Sequence, residues 1–139
     1  MASTTRVFLD ANVLVAIGFR PSGAYSRLLS VQGVRFVTSE HILREVEDNL
    51  RELGVDAVAL LEHLRAHFEI TNRVSALPLG LPLEDDEDRQ ALAEAIGAAC
   101  GEFVTFDRGH FGALFGRSVL GVRIRHSAEF LRERAPPTT

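Results

Sequence analysis

The chain has 139 residues, 46% of them hydrophobic, and sets 15 basic against 19 acidic side chains for a net charge of -4, which suits one compact domain (residues 1–134) and a short flexible tail (135–139). Every basic residue is arginine, so chemistries that need a lysine are excluded: the P-loop phosphate lysine, Schiff-base formation and a Ser-Lys dyad. No apolar run is long enough to span a membrane and no signal-like segment precedes the first strand, so the expected setting is the cytoplasm.

In chain order, Val7-Phe8-Leu9 reads as a short buried strand ending at Asp10. Pro21-Ser22-Gly23 then breaks the chain before a helical stretch around Tyr25 to Val31, and Val34-Arg35-Phe36-Val37 is a second strand. Strand, helix, strand is the pattern of an α/β fold. Ser39 is placed to cap a helix reaching about Leu53, with Glu40 in its first turn, Gly54 at its stop, and Ile42, Leu43, Val46, Leu50 and Leu53 as its apolar stripe. A further helix is predicted at about Asp56 to His67, a short strand at Glu69-Ile70-Thr71, and a loop at Ala76 to Glu84, where Pro78, Gly80 and Pro82 interrupt any pattern. An Ala-rich helix follows from about Glu87 to Cys100, closed by Gly101. Cys100, the lone cysteine, reads as a small buried apolar residue. Phe103-Val104-Thr105-Phe106 is the next strand and ends at Asp107; Val119 to Ile124 reads as the last strand and Ser127 to Arg134 as the last helix.

Two strands therefore run into an aspartate, Asp10 and Asp107. In an open parallel sheet the C-terminal strand edges form the crevice where ligands bind. Two further acidic candidates sit on helices: Glu45 beside the Ile42/Val46 stripe, and the run Glu84-Asp85-Asp86-Glu87-Asp88 that opens the Ala-rich helix. Acidic residues at a helix start also complement the helix dipole, which accounts for most of that run without any chemistry. If Asp10, Glu45, Asp88 and Asp107 converge, their charges repel unless a hard, oxygen-preferring cation such as Mg²⁺ or Mn²⁺ sits among them.

These segments carry a resemblance. Phe8-Leu9-Asp10-Ala11-Asn12-Val13-Leu14-Val15, Thr38-Ser39-Glu40-His41-Ile42-Leu43-Arg44-Glu45-Val46, Asp85-Asp86-Glu87-Asp88-Arg89 and Val104-Thr105-Phe106-Asp107 resemble, in order, the PIN-domain nuclease family. More narrowly, the chain is similar to the small single-domain members encoded as toxins of toxin-antitoxin pairs. The resemblance implies an RNase H-like, three-layer α/β/α sandwich with a mostly parallel central sheet. It also implies Mg²⁺- or Mn²⁺-dependent hydrolysis of RNA phosphodiester bonds, with Asp10, Glu45, Asp88 and Asp107 as metal ligands and catalytic residues. Asn12 and Thr105 fall at accessory polar positions beside Asp10 and Asp107. Asp85 lies three residues before Asp88 and competes for the third place, as Glu47 and Asp48 compete with Glu45; the family spacing selects Asp88 and Glu45. A toxin role implies an antitoxin that inserts a segment near the site, and a homodimer formed through an apolar helical surface.

His63 and His67 lie four apart on one predicted helix but lack the Glu of a His-Glu-x-x-His motif, and they read as surface residues. His110, close after Asp107, is a candidate for substrate contact. With the four proposed ligands set aside, the remaining acidic residues equal the arginines in number, so a local basic rim is compatible with the net charge. Arg20, Arg89 and Arg108 flank the motif segments and are candidates for phosphate contact, because a guanidinium fork binds phosphate oxygens bidentately. Two alternatives compete. A phosphatase of the haloacid dehalogenase type is suggested by the hydrophobic strand ending in Asp10-x-Asn12, but that family pairs its first aspartate with a second carboxylate two residues on and usually uses a lysine, whereas this chain has Asn12 and no lysine. A non-catalytic PIN-like nucleic-acid-binding module would carry vestigial carboxylates, whereas all four positions here are acidic.

Overall fold

The computed structural model describes residues 4–134; the tail expected at 135–139 lies outside the described residues. Six strands, β1 (Thr5–Leu9), β2 (Val34–Ser39), β3 (Glu69–Thr71), β4 (Glu102–Thr105), β5 (Ser118–Val119) and β6 (Val122–His126), form one sheet. The α-helices are α1 (Ala11–Phe19), α2 (Glu40–Glu52), α3 (Val58–His67), α4 (Asp86–Gly97), α5 (Arg108–Phe111) and α6 (Ser127–Arg134). The strand order is β3-β2-β1-β4-β6-β5, and every pairing is parallel except β5 with β6. Val7, Phe8, Leu9, Val37, Phe103 and Val104 are fully buried. Consecutive strand residues point to opposite faces, so burial of both sets requires helices on both sides of the sheet. This is the three-layer α/β/α arrangement expected from the sequence. Phe8 stacks on Phe103 across β1 and β4 with ring centroids 5.6 Å apart, and Phe103 packs in turn on Phe111.

The topology fixes where a ligand can sit. From β1 the chain winds outward through β2 to β3, whereas β4 returns to the other side of β1 and leads on to β6. The winding direction therefore reverses between β1 and β4, and a crevice opens at their C-terminal edge. Leu9 is in register with Val104, and the amide of Asp10 donates to the Val104 carbonyl at 3.0 Å.

Four elements differ from the sequence expectation. Residues 11–19 form a helix that periodicity does not reveal, because ANVLVAIGF is apolar on nearly every side and has no polar face to mark a 3.6-residue repeat. The helical stretch near Tyr25 is a 3₁₀ helix, Ala24–Ser30. The single last strand expected at Val119 to Ile124 is a hairpin, turning at Leu120 and Gly121 with φ of 47° and 87°. Two consecutive positive φ angles are what a tight two-residue hairpin demands. The Ala-rich helix also stops earlier than expected, at Gly97, where a side-chain carbon would lie 2.9 Å from the backbone of Arg73 and Val74. Cys100 is buried as expected, and burial pushes its thiol up to about 12, leaving it without nucleophilic character at neutral pH. Among the described residues no helix is long and apolar enough to cross a membrane.

Candidate active site

A cleft of about 380 Å³ lies at the β1/β4 edge, and Asp10, Glu45, Asp88 and Asp107 all line it. These four residues come from four separate stretches of chain: the ends of β1 and β4, the middle of α2 and the first turn of α4. Asn12, Asp85, Glu87 and His110 share the cleft, whose apolar side is formed by Val15, Phe19, Leu53 and Phe106.

Three aspartates of the cleft cap helix starts. Asp10 caps α1, its Oδ1 accepting from the Ala11 amide at 2.9 Å; Asp85 caps α4 by accepting from the Asp88 amide at 3.0 Å; Asp107 caps α5 by accepting from the His110 amide at 3.1 Å. The partial positive charge at each helix start then faces a carboxylate, which lowers the cost of bringing them together. Thr105 ties the two strand ends to each other. Its hydroxyl donates to Asp10 Oδ2 at 2.9 Å while accepting from the Asn12 side-chain amide at 2.9 Å and from the Asp107 backbone at 3.3 Å. Asn12 completes the loop by accepting from the Phe106 amide. Both polar positions expected beside the aspartates thus form one network whose end point is an acceptor, Asp10 Oδ2.

The electrostatics are those of a crowded carboxylate cluster. Asp10 is buried, and desolvation raises its pKa to about 7 against the opposing hydrogen bonds from Thr105 and Ala11, with Asp88 and Asp107 adding like-charge repulsion. Burial, then the adjacent Glu87, lift Glu45 to about 8, and burial with the Asp85 charge lifts Asp88 to about 6. His110 lies between two of these groups, with Nδ1 2.6 Å from Asp88 Oδ2 and 3.0 Å from Asp107 Oδ2, and their charges raise its pKa. Apart from that imidazole contact, Asp88 Oδ2 is buried without a hydrogen-bond donor.

The donor set fits a divalent cation. It consists of carboxylate oxygens whose burial and mutual repulsion raise their proton affinity, with Asp88 Oδ2 met only by the His110 imidazole. A hard ion that prefers oxygen, Mg²⁺ or Mn²⁺, meets each of these conditions.

The remaining candidates divide. Asp85 lines the same cleft as Asp88 but is exposed, with one oxygen committed to its cap. Glu47 and Asp48 face away and pair with Arg51 at 2.9 and 3.6 Å, which leaves Glu45 as the α2 carboxylate of the cleft. Arg108 is exposed and lines an adjoining groove with Glu84, Asp85, Gly109 and His110. Arg20 is not a cleft residue; its guanidinium lies 6.0 Å from the Phe19 ring. Arg89 departs from the expectation of phosphate contact, since its Nη1 donates to the Leu83 carbonyl at 2.8 Å and secures the loop before α4. His63 and His67 are exposed, with their rings in tilted contact at 4.5 Å between centroids. Sequence reasoning passed over Glu87, hidden among the acidic residues that favour any helix start, and over His41 and Glu94. Glu94 had a signal: it is an acid among Ala91, Leu92, Ala93 and Ala95, the buried face of α4.

A family profile described as PIN domain matches residues 6–109. No curated protein matches the chain. Among solved structures, the fold is similar to a chain of the VapBC2 complex from Rickettsia felis, solved bound to a DNA fragment from its promoter. The TM-score is 0.64 at 16% identity, over 88% of this chain and 98% of that one. It is also similar to VapC20 of Mycobacterium tuberculosis, a sarcin-ricin-loop-cleaving toxin, with a TM-score of 0.59 at 22% identity over 84% of this chain and 98% of that one.

Proposed function

Because the chain belongs to the PIN-domain family, we propose that it is a divalent-metal-dependent endoribonuclease acting in the cytoplasm as the toxin of a toxin-antitoxin pair. The observation that carries this reading is the meeting of Asp10, Glu45, Asp88 and Asp107, distant in sequence, along one cleft at the switch point of the sheet. RNA as substrate is supported by the fold neighbour that cleaves the sarcin-ricin loop, and an antitoxin partner by the neighbour drawn from a VapBC complex.

Asp10, Glu45, Asp88 and Asp107 would hold the Mg²⁺ or Mn²⁺ ion, which when bound supplies Lewis acidity toward water and toward the phosphate charge. Thr105 and Asn12 hold Asp10 with its Oδ2 turned to accept, so the ligand keeps one orientation. Asp10 and Thr105 are buried, which excludes bulk water from the back of the cleft and strengthens every charge interaction there. His110 is exposed at the rim, where the Asp107 and Asp88 charges raise its pKa, and in its protonated form it would offer positive charge to a substrate phosphate. Arg108 in the adjoining groove extends that positive rim. No covalent protein intermediate is needed.

Purified chain incubated with RNA and Mn²⁺ or Mg²⁺ should cut internal phosphodiester bonds. Asp10→Asn should abolish cleavage while circular dichroism and the unfolding transition remain those of a folded protein. Retained metal-dependent cleavage by that variant refutes the assignment. A phosphomonoester assayed in parallel separates this reading from a phosphatase, and calorimetric absence of metal binding would favour the non-catalytic module. Growth arrest on expression, relieved by a neighbouring reading frame, tests the toxin role; sedimentation tests the homodimer.

A further inference from the structure

Glu45 also belongs to a second cluster that the nuclease reading leaves unused. His41 lies one turn before Glu45 on α2, so the two share a helix face, and Glu87 comes from the first turn of α4. A nitrogen of His41 and one carboxylate oxygen from each of Glu45 and Glu87 lie within 4.8 Å of one another. The Glu45 and Glu87 carboxylates are thus close neighbours across α2 and α4. Two negative charges this close repel each other, and a cation between them relieves that repulsion.

His41 is set up as metal-binding imidazoles are. Its side chain is 16% exposed, and its Nδ1 is buried and makes no hydrogen bond. Behind that nitrogen, 3.5 Å away, lies the Glu94 carboxylate, itself only 6% exposed and held by the Ser39 hydroxyl at 2.8 Å. A carboxylate behind one ring nitrogen orients the imidazole and strengthens the other nitrogen as a donor. Burying an acid on the apolar face of a helix is costly, and the oxygen-lined site around Asp10 gives no reason for it. A histidine that must be held toward a cation does.

We propose that His41, Glu45 and Glu87 form a second cation position, backed by Glu94 and joined through Glu45 to the Asp10/Asp88/Asp107 position, that selects Mn²⁺ over Mg²⁺. The proposal rests on the nuclease reading in sharing Glu45 with it. Selectivity follows from the nitrogen donor: Mg²⁺ takes oxygen ligands and keeps its waters, whereas imidazole suits transition ions. The chain should then take two Mn²⁺ but one Mg²⁺.

The test is titration of chelator-treated full chain with Mn²⁺, counting bound ions from the free-ion electron paramagnetic resonance signal, with pulsed measurement of ¹⁴N coupling to the bound ion. Wild type should bind two Mn²⁺ and show ¹⁴N coupling that persists in His110→Gln, the other imidazole near the cleft. His41→Gln should lose the coupling, and both it and Glu87→Gln should weaken the second ion about 10-fold or more. Glu87 is exposed, so its variant decides the matter even where His41→Gln unfolds. A single Mn²⁺ lost in Asp10→Asn but indifferent to His41→Gln and Glu87→Gln overturns the second position and leaves the nuclease reading standing. Absence of any bound Mn²⁺ in wild type overturns both.

Discussion

Asp10 makes the metal-free protein depend on pH in a direction opposite to most carboxylates. Its pKa rises from 3.8 to about 7 on folding, chiefly through burial. A raised folded pKa means that the stabilising form is the protonated one. The contribution is fully present below pH 3.8 and is lost as the pH climbs through about 7. At about 1.36 kcal/mol per pH unit for one proton, the full shift corresponds to roughly 4 kcal/mol, a large part of a small domain's total stability. Urea unfolding in EDTA at pH 5, 6, 7 and 8 should therefore show stability falling as pH rises. Asp10→Asn removes one titrating proton from the folded state and should flatten that slope by about 1.36 kcal/mol per unit between pH 5 and 7. The slope is the diagnostic quantity, because the absolute stability of the variant mixes two effects. An amide at residue 10 must place an N–H against either the Ala11 N–H or the Thr105 hydroxyl, which already accepts from Asn12 and Asp107, and such a mismatch costs about 1 to 3 kcal/mol at any pH. Adding Mg²⁺ at pH 8 should restore wild-type stability and leave the variant unchanged. Equal slopes for the two proteins would refute the claim that Asp10 is buried against its own charge.

Thr105→Val removes the donor to Asp10 Oδ2 and the acceptor for Asn12. Cleavage should fall by about 10- to 100-fold with the fold retained, as measured by steady-state kinetics; an unchanged rate would show that the network does not orient the ligand. Arg108→Ala should weaken RNA binding and reduce its salt dependence by up to about one unit in the log-log slope, whereas Arg89→Ala should lower thermal stability and leave that slope alone. Filter binding across a salt series distinguishes the two arginines. Gly97→Ala should destabilise by about 1 to 3 kcal/mol in urea, because its new methyl group meets backbone atoms of Arg73 and Val74 that cannot rotate away.

The frame of the fold was legible where one periodicity dominated. α2 buries the expected stripe at Ile42, Leu43, Val46 and Leu50, although Leu53 lies exposed just past its end, and the Ser39 cap is present, its hydroxyl accepting from Ile42. The short strands were marked by apolar runs ending at aspartates. α1 was illegible for the complementary reason: a helix apolar on nearly all sides has no polar face to reveal its period. The β5-β6 hairpin was missed because Leu120 takes a positive φ, a conformation that β-turn rules reserve for glycine or asparagine.

The site divides along the same physical line. Asp10 and Asp107 stood out because an acid directly after a buried strand has no role in the core, and in a parallel sheet that position opens onto a crevice. Asp85, Glu87 and Asp88 could not be ranked from sequence, since a helix start welcomes all three through its dipole. What ranks them is which side the helix turns inward: Asp88 is half-buried with Oδ2 met only by the His110 imidazole, while Asp85 spends one of its oxygens capping the helix at the surface. Capping and the proposed cation binding thus draw on the same side chains, Asp10 and Asp107. Three of the cleft's carboxylates hold helix starts in place, so removing one disturbs both the local backbone and the charge balance. A carboxamide at Asp10 or Asp107 retains an oxygen that can accept the capping bond while giving up the charge. The effect of such a variant on cation affinity therefore reads the site, and the effect of alanine at the same position reads the site and the fold together.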